Sequence, residues 1–369
     1  MTLSFEDGNS LFDFVVKDGN GIKGLVDSGI VEVPEIFIQP LDERIEKVDE
    51  KGSKEHFLTV PIDLSKLDGP DHDQVVNDIV TAAKTLGFFQ AINHGMSLDL
   101  LESLKDAAHQ FFAQPPEAKA VYLKGVSRSP LVKYATSFTA EKDKALEWRD
   151  YVSMLYTHDG DALEHWPKEC KEVALDYMKL SAKMIRRLVE ILIRNLGVNL
   201  EDSRLEALIG LKIVNMNYYP TCPNPELTVG AGRHSDTSTI TMLLQDDIGG
   251  LQVRVEEDIV AGRKEEWIEI PPIPGALVVN LGDVLQILSN GRYKSGEHRV
   301  RTTSKQSRVS IPAFCSPRPT EKIGPLPQQV ELDGGPLYRE VIFQDYMTHF
   351  LGNAHEGKNC LDFVKINKI

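Results

Sequence analysis

Cysteine is scarce in this chain: Cys170, Cys222, Cys315 and Cys360 stand far apart among 369 residues, with no C-x-x-C pair. That spacing excludes a disulfide framework and a zinc knuckle. Positive charge is also in deficit, since 41 Lys and Arg against 55 Asp and Glu leave a formal net charge of −14. Such a surface repels phosphate backbones and anionic lipid, so no nucleic-acid partner is expected. No apolar run reaches the roughly 20 residues of a membrane span, so no membrane partner is expected either. Met1 to Ser10 lacks the basic-then-apolar pattern of a secretory leader, and no N-x-S/T sequon occurs; a cytoplasmic location is the expectation. What the chain does have is 41% hydrophobic and 26% charged residues, the balance of a globular protein with a large core.

Helical periodicity dominates the first half. Val76, Ile79, Val80 and Ala83 share one helix face that Gly87 can end, and Ser97 can cap a helix carrying Leu101, Leu104, Ala108 and Phe111. A longer helix carries Tyr177, Leu180, Met184, Leu188 and Ile191 and closes at Gly197. Asp42 to Glu55 reads as a solvated linker and Pro130 to Glu141 as a loop. From about Val214 short β-rich runs take over: Ile240–Leu244, Leu251–Val255, Trp267–Ile270, Ala276–Leu281, Arg299–Thr303 and Arg308–Phe314. Gly249-Gly250, Pro274-Gly275 and Asn290-Gly291 punctuate them, which points to an antiparallel sandwich or barrel. Tyr338 to Phe350 returns to helical spacing.

Gly19-Asn20-Gly21-Ile22-Lys23-Gly24 matches G-x-G-x-x-G after the strand-like run Leu11–Val16. A dinucleotide site needs a helix of useful length at that loop and a βαβ unit beyond it. Gly29, Pro34 and Pro40 deny both, so the segment reads as a glycine-rich turn.

The chemistry sits further on, in Gly232-Arg233-His234-Ser235-Asp236. In an extended strand, residues two apart leave from one face, so His234 and Asp236 converge. His298, at the head of a later strand-like run, can supply a third ligand. Two histidines and a carboxylate on one side of a metal form the facial triad of non-haem Fe(II) oxygenases, which leaves positions open for substrate and oxygen. An H-x-D pair alone is common in proteins without metal. Arg308 and Ser310 add a second element, since they too leave one face of an apolar strand. A buried guanidinium needs an anion, either a structural Asp or Glu or a carboxylate ligand held by its planar fork. Asn217 and Tyr219 in N-Y-Y-P share a face as well, with Tyr218 turned the other way into core packing.

Together these residues resemble the plant Fe(II)- and 2-oxoglutarate-dependent dioxygenases over nearly the whole chain. The resemblance rests on Gly87-Phe88-Phe89-Gln90, Asn93-His94-Gly95, N-Y-Y-P, H-x-D, Leu285 to Gly291, His298 and R-x-S, in the family's order. It implies a mixed α/β fold with a double-stranded β-helix (jelly-roll) core flanked by N-terminal and C-terminal helices. The regions expected are residues 1–205, 206–320 and 321–369. His234, Asp236 and His298 would bind Fe(II). Arg308 and Ser310 would hold 2-oxoglutarate, with help from Tyr219 and Asn217. Phe314 would stack on a flat substrate, with core packing as its rival, and Tyr134 would border the pocket from a loop. Dioxygen and a small aromatic substrate complete the partners, with succinate and CO2 released, ascorbate as reductant, and a monomeric enzyme.

Leu11 to Val16 with Gly19 to Gly24, and Pro61-Ile62-Asp63-Leu64, are similar to the coumarin-biosynthesis branch. That branch implies hydroxylation of a coumarin ring or ortho-hydroxylation of a hydroxycinnamoyl-CoA ester. A CoA ester needs cations at the mouth for its phosphates, and Arg254, Arg292 and Lys294 are the candidates. Relatives that demethylate or desaturate stay open as alternatives. Two rivals come from other classes. A zinc hydrolase on the same three ligands would have no use for Arg308 and Ser310, and a non-catalytic binding barrel would lack metal.

Overall fold

Where apolar side chains recur at helical spacing and a capping residue precedes them, helices form. The computed structural model describes residues 8–45, 60–138, 145–256, 264–352 and 358–366. The helix His72–Thr85 buries Val75, Ile79, Val80, Ala82 and Ala83. Gly87 follows at φ 73°, and a Cβ there would lie 2.2 Å from the Lys294 carbonyl oxygen. Only glycine fits that left-handed close approach. Ser97 caps the helix Leu98–Ala113, its Oγ accepting the Leu100 N–H at 3.2 Å.

The long helix Lys171–Asn195 is present, but its buried face is turned from the expected one. Tyr177 and Leu188 are buried together with Ala174, Met178, Ile185, Val189 and Leu192, whereas Leu180 is 39% exposed. The Tyr177 hydroxyl lies 3.0 Å from the Met242 carbonyl and 3.1 Å from that of Ile311, which fixes the face presented to the sheet.

The strands of the two main sheets are β1 (Ile62–Asp63), β2 (Phe88–Ile92), β3 (Val132–Thr136), β4 (Asp150–Tyr156), β5 (Leu211–Tyr219) and β6 (Ala231–His234). They continue with β7 (Ile240–Gln245), β8 (Leu251–Val255), β9 (Glu266–Glu269), β10 (Leu277–Leu281), β11 (His298–Val300) and β12 (Arg308–Ser316). Among the described residues, one sheet runs β1-β2-β10-β7-β12-β5-β4-β3 and a second runs β6-β11-β8-β9. Neighbours pair antiparallel, except β1 with β2. The large sheet's outer face buries Val152, Val214, Met216, Met242, Val309 and Ile311 in one core with the helices Leu98–Ala113 and Lys171–Asn195. A second core joins Leu243, Val278 and Tyr219 of the large sheet to Ala231, Leu251, Val253 and Val300 of the small one. Two facing sheets wrapped by helices are the jelly-roll arrangement anticipated above.

Several expectations are corrected. Pro130 to Glu141 is not all loop, because Val132–Thr136 is β3, paired with β4; residues 139–144 lie outside the described residues. Leu11 to Val16 is helical, in Gly8–Phe12 and the π-helical turn Asp13–Lys17. The glycine-rich segment does start a helix, Gly21–Asp27, but the anion at its N-terminus is internal. The N–H groups of Ile22 and Lys23 donate to the Asp150 carboxylate at 2.8 and 2.9 Å, so the turn docks the N-terminal arm on β4. Of the expected linker, residues 46–55 lie outside the described residues. Its first part is docked, with Glu43 paired to Arg233 at 2.9 Å. The C-terminal helix spans Phe343–Gly352; Val341–Ile342 is a short strand ahead of it. The helix Asp283–Leu288, between β10 and β11, went unread in the sequence. The expected boundary at 205/206 falls inside the helix Asp202–Leu208, and strands from both sides of it share the large sheet.

Candidate metal centre and carboxylate clamp

His298 opens β11 directly opposite His234 at the end of β6, so the two imidazoles emerge as cross-strand neighbours with ring centroids 4.2 Å apart. Asp236 lies past the end of β6, in the irregular segment before β7. Strand alternation therefore does not bring it to His234. Its backbone carbonyl accepts the Asp283 N–H at 2.7 Å, and its Oδ2 accepts Thr241 Oγ1 at 2.5 Å and Asn280 Nδ2 at 2.8 Å. Oδ1 is left 3.7 Å from both His234 Nε2 and His298 Nε2. One donor atom from each residue lies within 4.8 Å of the others, the one such group of three His, Cys, Asp or Glu side chains among the described residues.

The donor chemistry fits a metal ion. His234 Nδ1 lies 2.8 Å from the Gly232 carbonyl and His298 Nδ1 lies 3.1 Å from that of Gly296. With the proton held at Nδ1, each ring turns the lone pair of Nε2 inward. Burial, joined by the charge of His234, pushes His298 down to about 4. Burial alone would raise Asp236, but the two imidazoles and the bonds from Thr241 and Asn280 hold it below the usual carboxylate range. A neutral His298 imidazole and an ionised Asp236 are in the forms that ligate a metal. The set can hold one divalent ion by three ligands on one side, leaving the other side open.

In the large sheet Arg308 stands opposite Tyr219 and Ser310 opposite Asn217 on β5 and Gln245 on β7. Arg308 is 1% exposed. Its Nη2 donates to Gln245 Oε1 at 3.0 Å and its Cζ lies 5.1 Å from the Tyr219 ring centroid. Its Nε and Nη1 are buried with no partner, and no carboxylate among the described residues forms an ion pair with it. Asp246, whose charge acts on Arg308, gives its oxygens to the N–H groups of Val309 and Ile248. Ser310 Oγ is contacted by Asn217 Nδ2 at 3.3 Å and by the Tyr219 hydroxyl at 3.4 Å. A buried fork with two idle N–H groups beside a hydroxyl fits a ligand carboxylate better than a structural acid.

Phe314 lies opposite Thr241, the residue that holds Asp236, and is half-buried. Tyr134 is the misplaced expectation. It lies on β3, is 0% exposed and packs with Phe111 and Phe112 in the helix-covered core. Its register partner Val152 aligns with Met216, and alternation turns that row away from Asn217. Tyr151, aligned with Asn217, takes the position on the site's side. Thr241, Asn280 and Gln245 went unread as site residues. Each stands in an apolar strand with no motif to mark it, and the one available sign was a polar side chain where the alternation calls for burial.

A two-sheet jelly-roll core carrying two histidines and a carboxylate within reach of one ion is the arrangement of the non-haem iron oxygenases. The 2OG-Fe(II) oxygenase superfamily model matches residues 211–317, and that of the non-haem dioxygenase in morphine synthesis N-terminal region matches residues 61–171. The chain is 57% identical to scopoletin 8-hydroxylase of Arabidopsis thaliana over 365 residues, 99% of each chain. It is 47% identical to a feruloyl CoA ortho-hydroxylase of Ipomoea batatas over 366 residues, 97% of this chain and 98% of that one. A crystal structure of JOX2 in complex with 2OG, Fe and JA aligns with a TM-score of 0.79 at 32% identity, covering 94% of this chain and 97% of that one. The protein therefore belongs to the 2OG-Fe(II) oxygenase superfamily and is a 2-oxoglutarate-dependent dioxygenase of the jelly-roll type, using Fe(II), 2-oxoglutarate and O2. The zinc-hydrolase and binding-barrel readings fall with that membership. No helix among the described residues is long and apolar enough to cross a membrane.

Proposed function

We propose that this enzyme hydroxylates the aromatic ring of a free coumarin, with scopoletin and its 8-position as the favoured case. The observation that carries this reading is the 57% identity along the full length of scopoletin 8-hydroxylase, against 47% for the feruloyl CoA ortho-hydroxylase. The cations considered for CoA phosphates support it, because each is already paired. Arg254 meets Glu265 at 2.8 Å and Glu297 at 2.5 Å, Arg292 meets Asp333 at 2.7 Å, and Lys294 meets Glu256 at 2.8 Å. A polyphosphate would have to displace carboxylates to use them.

In this reading His234, Asp236 and His298 hold Fe(II). Thr241 and Asn280 keep Asp236 turned toward the ion, and Gly232 and Gly296 keep both imidazoles in the ligating tautomer. Arg308 and Ser310 hold the distal carboxylate of 2-oxoglutarate, with Tyr219 and Asn217 orienting the serine hydroxyl. When bound, iron and the keto acid supply the dioxygen chemistry, with succinate and CO2 as coproducts. The chain's part is to orient the ring against that centre, Phe314 offering a flat apolar face, and to exclude water. Ascorbate serves as reductant because a ferrous centre must be kept ferrous. The buried cysteines Cys170, Cys222 and Cys315, held as thiols, support a reducing, cytoplasmic setting. A monomer is the proposed state, to be read by light scattering.

A panel of hydroxycoumarins and hydroxycinnamoyl-CoA esters, assayed with Fe(II), 2-oxoglutarate and ascorbate, tests the reading. Succinate release coupled one-to-one to a hydroxylated coumarin is expected. Coupled turnover of the CoA esters alone would replace it with the ortho-hydroxylase reading.

A further inference from the structure

Beside Tyr219 lies a second buried guanidinium that neither the metal ligands nor the carboxylate clamp uses. Arg149 immediately precedes β4, and alternation gives it the face of Tyr151, the face aligned with Asn217. Its Cζ lies 5.6 Å from the Tyr151 ring centroid. Its side chain is 12% exposed and its Nη2 meets Glu147 Oε2 at 2.6 Å. Its Nε is buried with no partner.

Glu147 cannot turn to serve that idle N–H. Its Oε1 accepts the Gly232 N–H at 2.8 Å and its Oε2 accepts the Phe138 N–H at 3.2 Å. Gly232 is also the residue whose carbonyl holds His234 Nδ1, so the carboxylate is committed to the metal-ligand strand. Burial works against the charge on Arg149, but Glu147 outweighs it and holds the guanidinium above its ordinary value. Buried donors nearly always have an acceptor, and Arg149 Nε–H has none within the protein, so it is left to donate to a ligand atom. The charge of that atom follows from the pair. Arg149 and Glu147 cancel, and in the proposed complex the ferrous ion and Arg308 offset Asp236 and the dicarboxylate, so a further anion would be buried uncompensated. A neutral oxygen would not.

Building on the coumarin reading, we propose that Arg149 Nε–H donates to a neutral acceptor oxygen of the aromatic substrate, the lactone carbonyl, and that Arg149 is a specificity-determining residue of the site. Tyr151 and Phe138, with ring centroids 6.5 Å apart, give that end of the substrate an aromatic wall.

The test is anaerobic binding to enzyme loaded with Mn(II) and 2-oxoglutarate. The probes are a hydroxycoumarin and the matching chromene, which has the same ring hydroxyls but no lactone carbonyl. R149Q is expected to weaken coumarin binding about tenfold to a hundredfold, to leave chromene binding within about twofold, and to leave 2-oxoglutarate affinity unchanged. R149K keeps a cation on Glu147 without the planar fork, and it decides the matter alone if R149Q fails to fold; it is expected to lose coumarin preference in the same direction. Equal loss for both probes, or a parallel loss of 2-oxoglutarate affinity, would overturn the proposal in favour of a structural or cosubstrate role. If the wild type binds coumarins but oxidises none, the coumarin-hydroxylase reading fails while the binding ratio still decides Arg149. If it binds neither probe, both readings fall.

Discussion

Arg308→Lys separates a carboxylate clamp from a buried structural cation. Two of the guanidinium nitrogens, Nε and Nη1, are buried without partners, and Nη2 is held by Gln245 at 3.0 Å. If the two idle N–H groups engage the distal carboxylate of 2-oxoglutarate, the lysine ammonium keeps the charge but loses the parallel fork. A hydrogen bond to a charged group contributes about 1.5–3 kcal/mol. Loss of one such bond, at about 1.4 kcal/mol per tenfold, raises the KM for 2-oxoglutarate by about 10- to 150-fold. Because those groups have no protein partner, melting of the protein without cosubstrate is expected to change little, while the stabilisation gained on adding 2-oxoglutarate shrinks. Succinate release against 2-oxoglutarate concentration at saturating substrate reads the first effect, and melting curves with and without cosubstrate read the second. An unchanged KM for 2-oxoglutarate alongside a lower melting temperature would refute the reasoning and make Arg308 a structural residue.

His234→Ala removes one of the proposed ligands, and both ferrous-ion binding by calorimetry and turnover should vanish. Thr241→Val deletes the hydroxyl that holds Asp236 Oδ2 while Asn280 remains; iron affinity is expected to fall about 10- to 100-fold, with the KM for 2-oxoglutarate little moved. Gly21→Ala should lower the melting temperature without altering either KM. Its φ is 74° and a Cβ would lie 2.6 Å from Asp150 Oδ2 and from the Tyr134 hydroxyl, a strain costing roughly 1–3 kcal/mol; an unchanged melting curve would show that the arm's docking contributes nothing.

Local signals carried much of this structure. The cap at Ser97, the stop at Gly87 and the β-rich runs that became β7, β8, β10 and β12 were legible because each rests on neighbours in the chain. The face of the helix Lys171–Asn195 was not, since it was set by Tyr177 reaching two carbonyls of distant strands. Val132–Thr136 read as loop because a strand at the edge of a sheet declares itself through its partner, β4, rather than through its own composition. In the site, His234, Asp236, His298, Arg308 and Ser310 were legible as motifs, and the structure gathers the two histidines and the carboxylate within one ion's reach. The strand argument for His234 and Asp236 reached a correct convergence by the wrong route, since hydrogen bonds from Thr241, Asn280 and Asp283 hold Asp236 there. Tyr134 failed as a pocket residue because pairing register, which decides the face of a strand residue, depends on partners far along the chain.

An anaerobic titration reaches the central claim most directly: Fe(II) and then 2-oxoglutarate are added to the purified protein while the visible spectrum is followed. The account predicts the charge-transfer band of a keto acid chelated to ferrous iron, saturating at one iron per chain, absent in His234→Ala, and requiring far more 2-oxoglutarate in Arg308→Lys. A full-strength band in His234→Ala, or none in the wild type with both additions, would contradict it.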